Sequence, residues 1–260
     1  MQYKKNLKDR LYIGILFIRN KYYGYLISIK TYFAKRKVVI SYDNNLLRIK
    51  DITLRCAPED YASALEACVF DDYQQKNFLK IEEGDIVLDI GAHIGGFSII
   101  AAKMGAKVYA FEPDKRNFSV LLENIKLNKL ETEITPFNFG IYSENRMLYF
   151  NTDNLNTGGH SVSKSGDVSI EVKDLPTVFR ECNISHVDFM KIDVEGSEFE
   201  ICKDDINNLS IQKIVGEYHL DWRNPGLNYR LLKKQLSSFV VGRYSPYYFY
   251  ALKNPSKLDK

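Results

Sequence analysis

"VLDIGAHIGG", Val87 to Gly96, is the stretch whose reading decides the fold. An apolar run carrying one acid enters a glycine-rich turn, and "GGFSIIAAKMG" follows with a helical pattern, which is how an open α/β sheet begins a nucleotide site. A dinucleotide turn wants G-x-G-x-x-G, with a middle glycine that lets the backbone approach a pyrophosphate. The matching positions are Gly91, His93 and Gly96, and a side chain at His93 crowds that approach. NAD or FAD is therefore disfavoured. What remains is an acid followed by two glycines four apart: Asp89, Gly91 and Gly95. Such a turn suits a nucleoside cofactor without phosphates, which needs close backbone approach and carboxylates to hold an ammonium and a ribose. Glu112, in "VYAFEPD", lies 21 positions after Gly91 at the end of the next expected strand. An acid there accepts hydrogen bonds from both ribose hydroxyls; in the plainer reading it is a strand-end carboxylate favouring a helix N-terminus.

Working outward, strand and helix signals alternate: "DIVLDI", "GGFSIIAAKMG", "AKVYAFE", "DKRNFSVLLENIKLN", "EITPFNFG". Short connections between them argue a parallel sheet covered on both faces. From Tyr142 to Val172 the pattern changes to period-two runs separated by Gly, Asn and Ser, which reads as a β-rich insertion or loop over the site. "HVDFMKID" and "IQKIVGEYHL" are further strands, "SEFEICKDDINN" and "YRLLKKQLSS" helices, and "FVVGRY" with "YYFYALK" a closing antiparallel hairpin. Upstream, "DYASALEACVFDDYQQKNFLKI" has helical spacing, while "VVISY" and "NLLRI" flank an Asp43-Asn44-Asn45 turn as a small hairpin.

With 260 residues, 45% hydrophobic and 27% charged, the chain has the composition of an ordinary globular protein, which excludes disordered, collagen-like and coiled-coil classes. A net charge of +3 does not argue for nucleic acid. Cys56, Cys68, Cys182 and Cys202 lack CxxC spacing and a His placed to complete a zinc site, so they read as buried thiols of a reducing, cytoplasmic setting. "LYIGILFI" is far short of the roughly 20 apolar residues of a spanning helix and lacks the cleavage site of a signal peptide. Charge is uneven, however: residues 1–37 hold ten Lys and Arg against the single acid Asp9. Two readings stand for this segment: a helical cap with solvated lysines, or a basic amphipathic helix lying on an anionic membrane or gripping a polyanion.

"VLDIGAHIGGFSIIAAKMGAKVYAFEPDKRNFSVLLENIKLN", "TGGHSV" and "VDFMKIDVEGSEFEI" together resemble the FkbM family of S-adenosylmethionine-dependent methyltransferases, over roughly residues 60 to 220. The resemblance implies a class I methyltransferase fold: α/β, doubly wound, with a mostly parallel seven-stranded Rossmann-like sheet and a reversed strand in the C-terminal hairpin. It divides the chain into 1–58, a basic helical extension with a short hairpin, and 59–260, the methyltransferase domain. Asp89 and Gly91 would support the methionine end of the cofactor, Gly95 would admit its backbone, Glu112 would hold the ribose, and Asn138 to Ile141 would line the adenine. His93 would line the cofactor too, where the family usually has Asn. The implied acceptor is a hydroxyl of a sugar, glycan or small natural product.

Methyl transfer is an in-line displacement, so the acceptor must be aligned and a hydroxyl's proton removed or shared. Ligands of open α/β sheets sit beyond the carboxyl ends of strands. Asp193 and Glu195 follow one strand there, and "GEYHLDW" puts Glu217, His219, Asp221 and Trp222 after the next. His219 is the natural general base, its unperturbed pKa lying near working pH; Asp193 would position acceptor or base. The alternative is a divalent metal held by Asp193, Glu217 and His219 as a Lewis acid. Trp222 reads as a sugar platform or a loop pin, and His160 as part of a loop that could close over the site. The rival functions are an NAD-dependent oxidoreductase and a noncatalytic membrane-surface or nucleic-acid binder working through residues 1–37.

Overall fold

In the computed structural model, the described residues are 27–33, 36–65, 67–68, 72–74, 77–151, 161–163, 168–217, 225–244 and 248–254. Strands β1 (Ile27–Phe33), β2 (Arg36–Asp43), β3 (Leu46–Ile49) and β4 (Ile52–Arg55) form an antiparallel meander in chain order. The helix expected through residue 37 is thus corrected: 27–33 and 36–37 are strand. The reason is visible in "ISIKTYF", where Ile27, Ile29, Thr31 and Phe33 alternate with Ser28, Lys30 and Tyr32 at the period of a strand, with β-branched and aromatic residues throughout. Residues 1–26, most of the basic segment, lie outside the described residues.

Around the helical spacing at 60–81, the described residues form a 3-10 turn Pro58–Asp60, helix α1 (Tyr61–Leu65), and 3-10 turns at Asp72–Gln74 and Asn77–Leu79. The alternating unit then runs β5 (Ile86–Ile90), α2 (Gly96–Lys103), β6 (Lys107–Phe111), α3 (Lys115–Asn128) and β7 (Ile134–Phe137). After it come β8 (Gly140–Ile141), β9 (Arg146–Asn151), β10 (Ser161–Ser163) and β11 (Val168–Lys173), a second sheet in order β10-β9-β11-β8 where a β-rich insertion was expected. Helix α4 (Leu175–Glu181) leads to β12 (Val187–Ile192), α5 (Glu198–Ile201), β13 (Ile211–Glu217), α6 (Pro225–Gln235), β14 (Val240–Arg243) and β15 (Tyr248–Leu252).

The central sheet has seven strands in the order β14-β15-β13-β12-β5-β6-β7. Neighbours from β13 to β7 are parallel, and β15 runs antiparallel to both β13 and β14. This mixed, mostly parallel sheet with helices is the arrangement of a class I methyltransferase fold. Its central strands are near-continuous apolar runs because both faces are covered: Val87, Val108, Phe189 and Val215 pack into one core, Leu88, Phe111, Met190 and Ile214 into the other. Successive strands spread from β5 toward β7, then the chain returns to place β12 on the other side of β5. Strand order therefore reverses between β5 and β12, the place where open α/β sheets bind ligands.

The meander docks on α3 through two amides. Asn124 and Asn128, one helical turn apart on the buried face, each exchange a pair of hydrogen bonds with one residue of β4. Asn128 accepts from Thr53 N–H at 3.1 Å and donates to Thr53 C=O at 2.6 Å. Asn124 accepts from Arg55 N–H and donates to Arg55 C=O at 3.0 Å. It also donates to Ile94 C=O, inside the glycine-rich turn, at 2.8 Å. Asn124 is fully buried, and all of these groups are thereby satisfied.

Candidate functional site

The glycine-rich turn leaves β5 at the switch point. Gly91 has φ +78°, and a Cβ there would fall 1.8 Å from the Asp193 carbonyl oxygen at the end of β12. Gly95, at φ +90°, would drive a Cβ to 2.5 Å from Leu121 of α3. These glycines are thus required by the protein's own neighbours, which press the turn between two strand ends and a helix. His93 takes φ +53° without being glycine. Its imidazole Nε2 lies 3.3 Å from Asp60 Oδ1, tying the turn to the segment after the meander.

Asp89 is 0% exposed. Ser98 Oγ donates to its Oδ2 at 2.5 Å, and Lys191 Nζ lies 3.2 Å from Oδ1. This carboxylate supports the turn from beneath, with a charge partner that the sequence reading had not singled out. Lys191 interrupts the apolar strand "VDFMKI", and a lysine in a strand buried on both faces is a signal that acids lie close by. Its ammonium donates to Gly91 C=O at 2.6 Å and stands 3.7 Å from Asp193 Oδ2. Burial alone would push the Lys191 pKa down; Asp89 and then Asp193 outweigh it and hold the pKa above its ordinary value.

Glu112, 6% exposed, ends β6 on the far side of the turn. Its two oxygens accept from backbone N–H groups, Oε2 from His93 at 2.8 Å and Oε1 from Asp114 at 2.9 Å. Burial raises its pKa; the nearby His93 and the two amide donors oppose that. A carboxylate has about four lone-pair sites, so two remain for a ligand's hydroxyls. Asn138 holds the chain beyond Glu112, donating to the Glu112 and Pro113 carbonyls at 2.9 and 3.2 Å.

Across the switch point, Asp193 receives the Tyr73 hydroxyl at 2.7 Å. Tyr73 was missed by the sequence reading, and its only local signal is an aromatic in an otherwise polar run. Glu217 ends β13 opposite Tyr248 of β15 and contributes to the negative field at Tyr73. His219, Asp221, Trp222 and His160 lie outside the described residues. The structure thus brings Asp89, Gly91, His93, Gly95, Glu112, Asp193 and Glu217 to the carboxyl ends of adjacent strands, with Asn138 just beyond. Among the described residues no cluster of three or more His, Cys, Asp or Glu is arranged to hold a metal ion, and no helix is long and apolar enough to cross a membrane.

The chain is similar to known proteins. The hexuronic acid methyltransferase AglP of Haloferax volcanii is 28% identical over 174 residues, 62% of this chain and 72% of AglP. A tRNA (guanine(37)-N(1))-methyltransferase of Batrachochytrium dendrobatidis is 46% identical over only 57 residues, 22% of this chain and 12% of that protein. The crystal structure of a methyltransferase FkbM from Methylobacillus flagellatus aligns with TM-score 0.48 and 18% identity, over 76% of this chain and 51% of that one. The model of the methyltransferase FkbM domain matches residues 89–235, from the acid of the glycine-rich turn to the end of α6. The chain belongs to the FkbM methyltransferase family.

Proposed function

We propose that the chain is an S-adenosylmethionine-dependent O-methyltransferase acting on a sugar hydroxyl, in a glycan or a small natural product. The observation that carries this reading is Glu112: a buried carboxylate at the end of β6, fixed by the amides of His93 and Asp114 beside the glycine-rich turn. Ribose hydroxyls would fill its remaining lone pairs. Gly91 and Gly95 keep the turn low enough for the methionine end to pass, Asp89 and Lys191 brace it from below, and Asn138 holds the rim where an adenine would lie. Bound S-adenosylmethionine would supply a methyl group on a sulfonium, open to in-line attack. Asp193, across the turn, orients the acceptor's hydroxyl; His219, two residues beyond β13, takes its proton, and Glu217 keeps that proton's destination electrostatically favourable. AglP's named substrate class makes hexuronic acids the first acceptors to try. We place the protein in the cytoplasm.

The test is titration calorimetry of S-adenosylmethionine, S-adenosylhomocysteine and NAD against the purified chain, followed by methyl transfer to p-nitrophenyl glucuronide. Micromolar binding of the first two without NAD supports the reading. Binding of NAD alone overturns it.

A further inference from the structure

Asp193 is held by a side chain 120 positions away. The Tyr73 hydroxyl donates to Oδ2 at 2.7 Å, and Lys191 Nζ stands 3.7 Å from the same oxygen. Oδ1 has no partner among the described residues, and the side chain keeps 27% of its area open. Tyr73 is itself buried. Its ring meets Phe97 edge-on at 5.4 Å and Tyr248 at 5.6 Å, so the hydroxyl is aimed by packing on both sides. Desolvation, then the charge of Asp193, raises the Tyr73 pKa well above its ordinary value, which keeps the group a donor at any working pH. The Lys191 ammonium lies 5.4 Å from the centroid of the same ring, so phenol, ammonium and carboxylate form one packed unit.

We infer that Tyr73 is a positioning residue for methyl transfer: its hydroxyl occupies one oxygen of Asp193, leaving the other presented to the acceptor's hydroxyl. The inference rests on the methyltransferase reading above. Without the phenol, Asp193 can rotate about its terminal torsion, which is broad for a carboxylate, and turn both oxygens toward Lys191. The acceptor then meets a carboxylate in several orientations instead of one.

The experiment is a double-mutant cycle of Tyr73→Phe and Asp193→Asn, read with S-adenosylmethionine and p-nitrophenyl glucuronide. Tyr73→Phe keeps the ring and both aromatic contacts and removes one O–H. The expected result has three parts. S-adenosylhomocysteine affinity and the KM for S-adenosylmethionine stay within about twofold of wild type. The kcat falls about tenfold, the rate equivalent of one ordinary hydrogen bond. In the Asp193→Asn background the same change costs less than about twofold, because the two residues act as one unit. A Tyr73→Phe protein that binds S-adenosylhomocysteine and keeps wild-type kcat overturns the inference and leaves the methyltransferase reading standing. Equal losses in both backgrounds overturn it too, since Tyr73 would then act without Asp193. Wild-type protein that binds no S-adenosylhomocysteine overturns the reading beneath it, and the inference falls with that reading.

Discussion

Glu112 and Asp193 stand on either side of the switch point and are both carboxylates at strand ends, yet they are held in opposite ways. Glu112 is fixed by backbone amides from its own neighbourhood, His93 on the preceding turn and Asp114 two residues on. Asp193 is fixed by side chains, the Tyr73 phenol and the Lys191 ammonium. A carboxylate held by amides keeps its geometry as long as the turn folds, whatever side chains surround it. One held by side chains depends on the identity of two residues, and single substitutions can retune it. On the proposed function, the carboxylate that would hold the cofactor is fixed by backbone, and the one that would face the acceptor by side chains that single substitutions can change.

The largest expected effect strikes the cation that both halves share. Lys191→Met leaves Asp89 and Asp193 without their cation, and breaking such a buried pair costs about 3–5 kcal/mol; urea unfolding measures it, and a loss below about 1 kcal/mol would mean that the Lys191 ion pairs do not hold the turn. Glu112→Ala should weaken S-adenosylhomocysteine binding by about 1.5–3 kcal/mol for each ribose hydrogen bond lost, about tenfold to a hundredfold per bond. Calorimetry reads this directly, and unchanged affinity removes Glu112 from the site.

A third prediction follows from protonation. On the proposed function, ribose hydroxyls would donate to ionised Glu112, so the ligand would bind the charged form better; burial raises the free-protein pKa, and affinity should therefore fall as pH drops through a value above the 4.5 of an exposed glutamate. The fall is at most about tenfold per pH unit. Glu112→Gln, which does not titrate, should flatten the profile, and a profile of wild-type shape in that variant would assign the dependence to another group. The smallest effect belongs to His93→Asn. Asn tolerates the left-handed conformation and keeps the N–H donated to Glu112, but the contact with the buried Asp60 is lost; stability should fall by about 1–2 kcal/mol, with cofactor affinity at neutral pH within about twofold of wild type. A tenfold loss of affinity would show that the imidazole itself contacts the ligand.

The same contrast governs what was legible in the sequence. Glu112, its turn and the strands around it are specified within Val87 to Pro113, and spacing alone placed the acid beside the glycines. Tyr73 could not be found that way, because a contact across 120 positions leaves no local periodicity. Lys191 sat in plain view inside "VDFMKI", and its oddness in a doubly covered strand was the missed clue. Residues 27–33 failed for another reason: lysines among aliphatics suggested an amphipathic helix, while the two-residue alternation of Ile27, Ile29, Thr31 and Phe33 decided the outcome. The helix read through "SEFEICKDDINN" breaks at Lys203, whose extended backbone separates α5 from a 3-10 turn at Asp204–Asn208.

Asn124 and Asn128 have a consequence for assembly. β4 is the last strand of its meander, and an uncovered edge invites a strand from another chain. Here two carboxamides impersonate that missing strand, each returning both hydrogen bonds of one residue. The disguise works because four residues of helix advance about 6.0 Å, while two residues of strand advance about 6.7 Å. It also sets a limit. The mismatch grows by about 0.7 Å with every rung, so a third asparagine one turn further along would miss its residue by about 1.4 Å. A helix can therefore seal a short edge in this way but not a long one, and the four-residue length of β4 keeps the seal within reach.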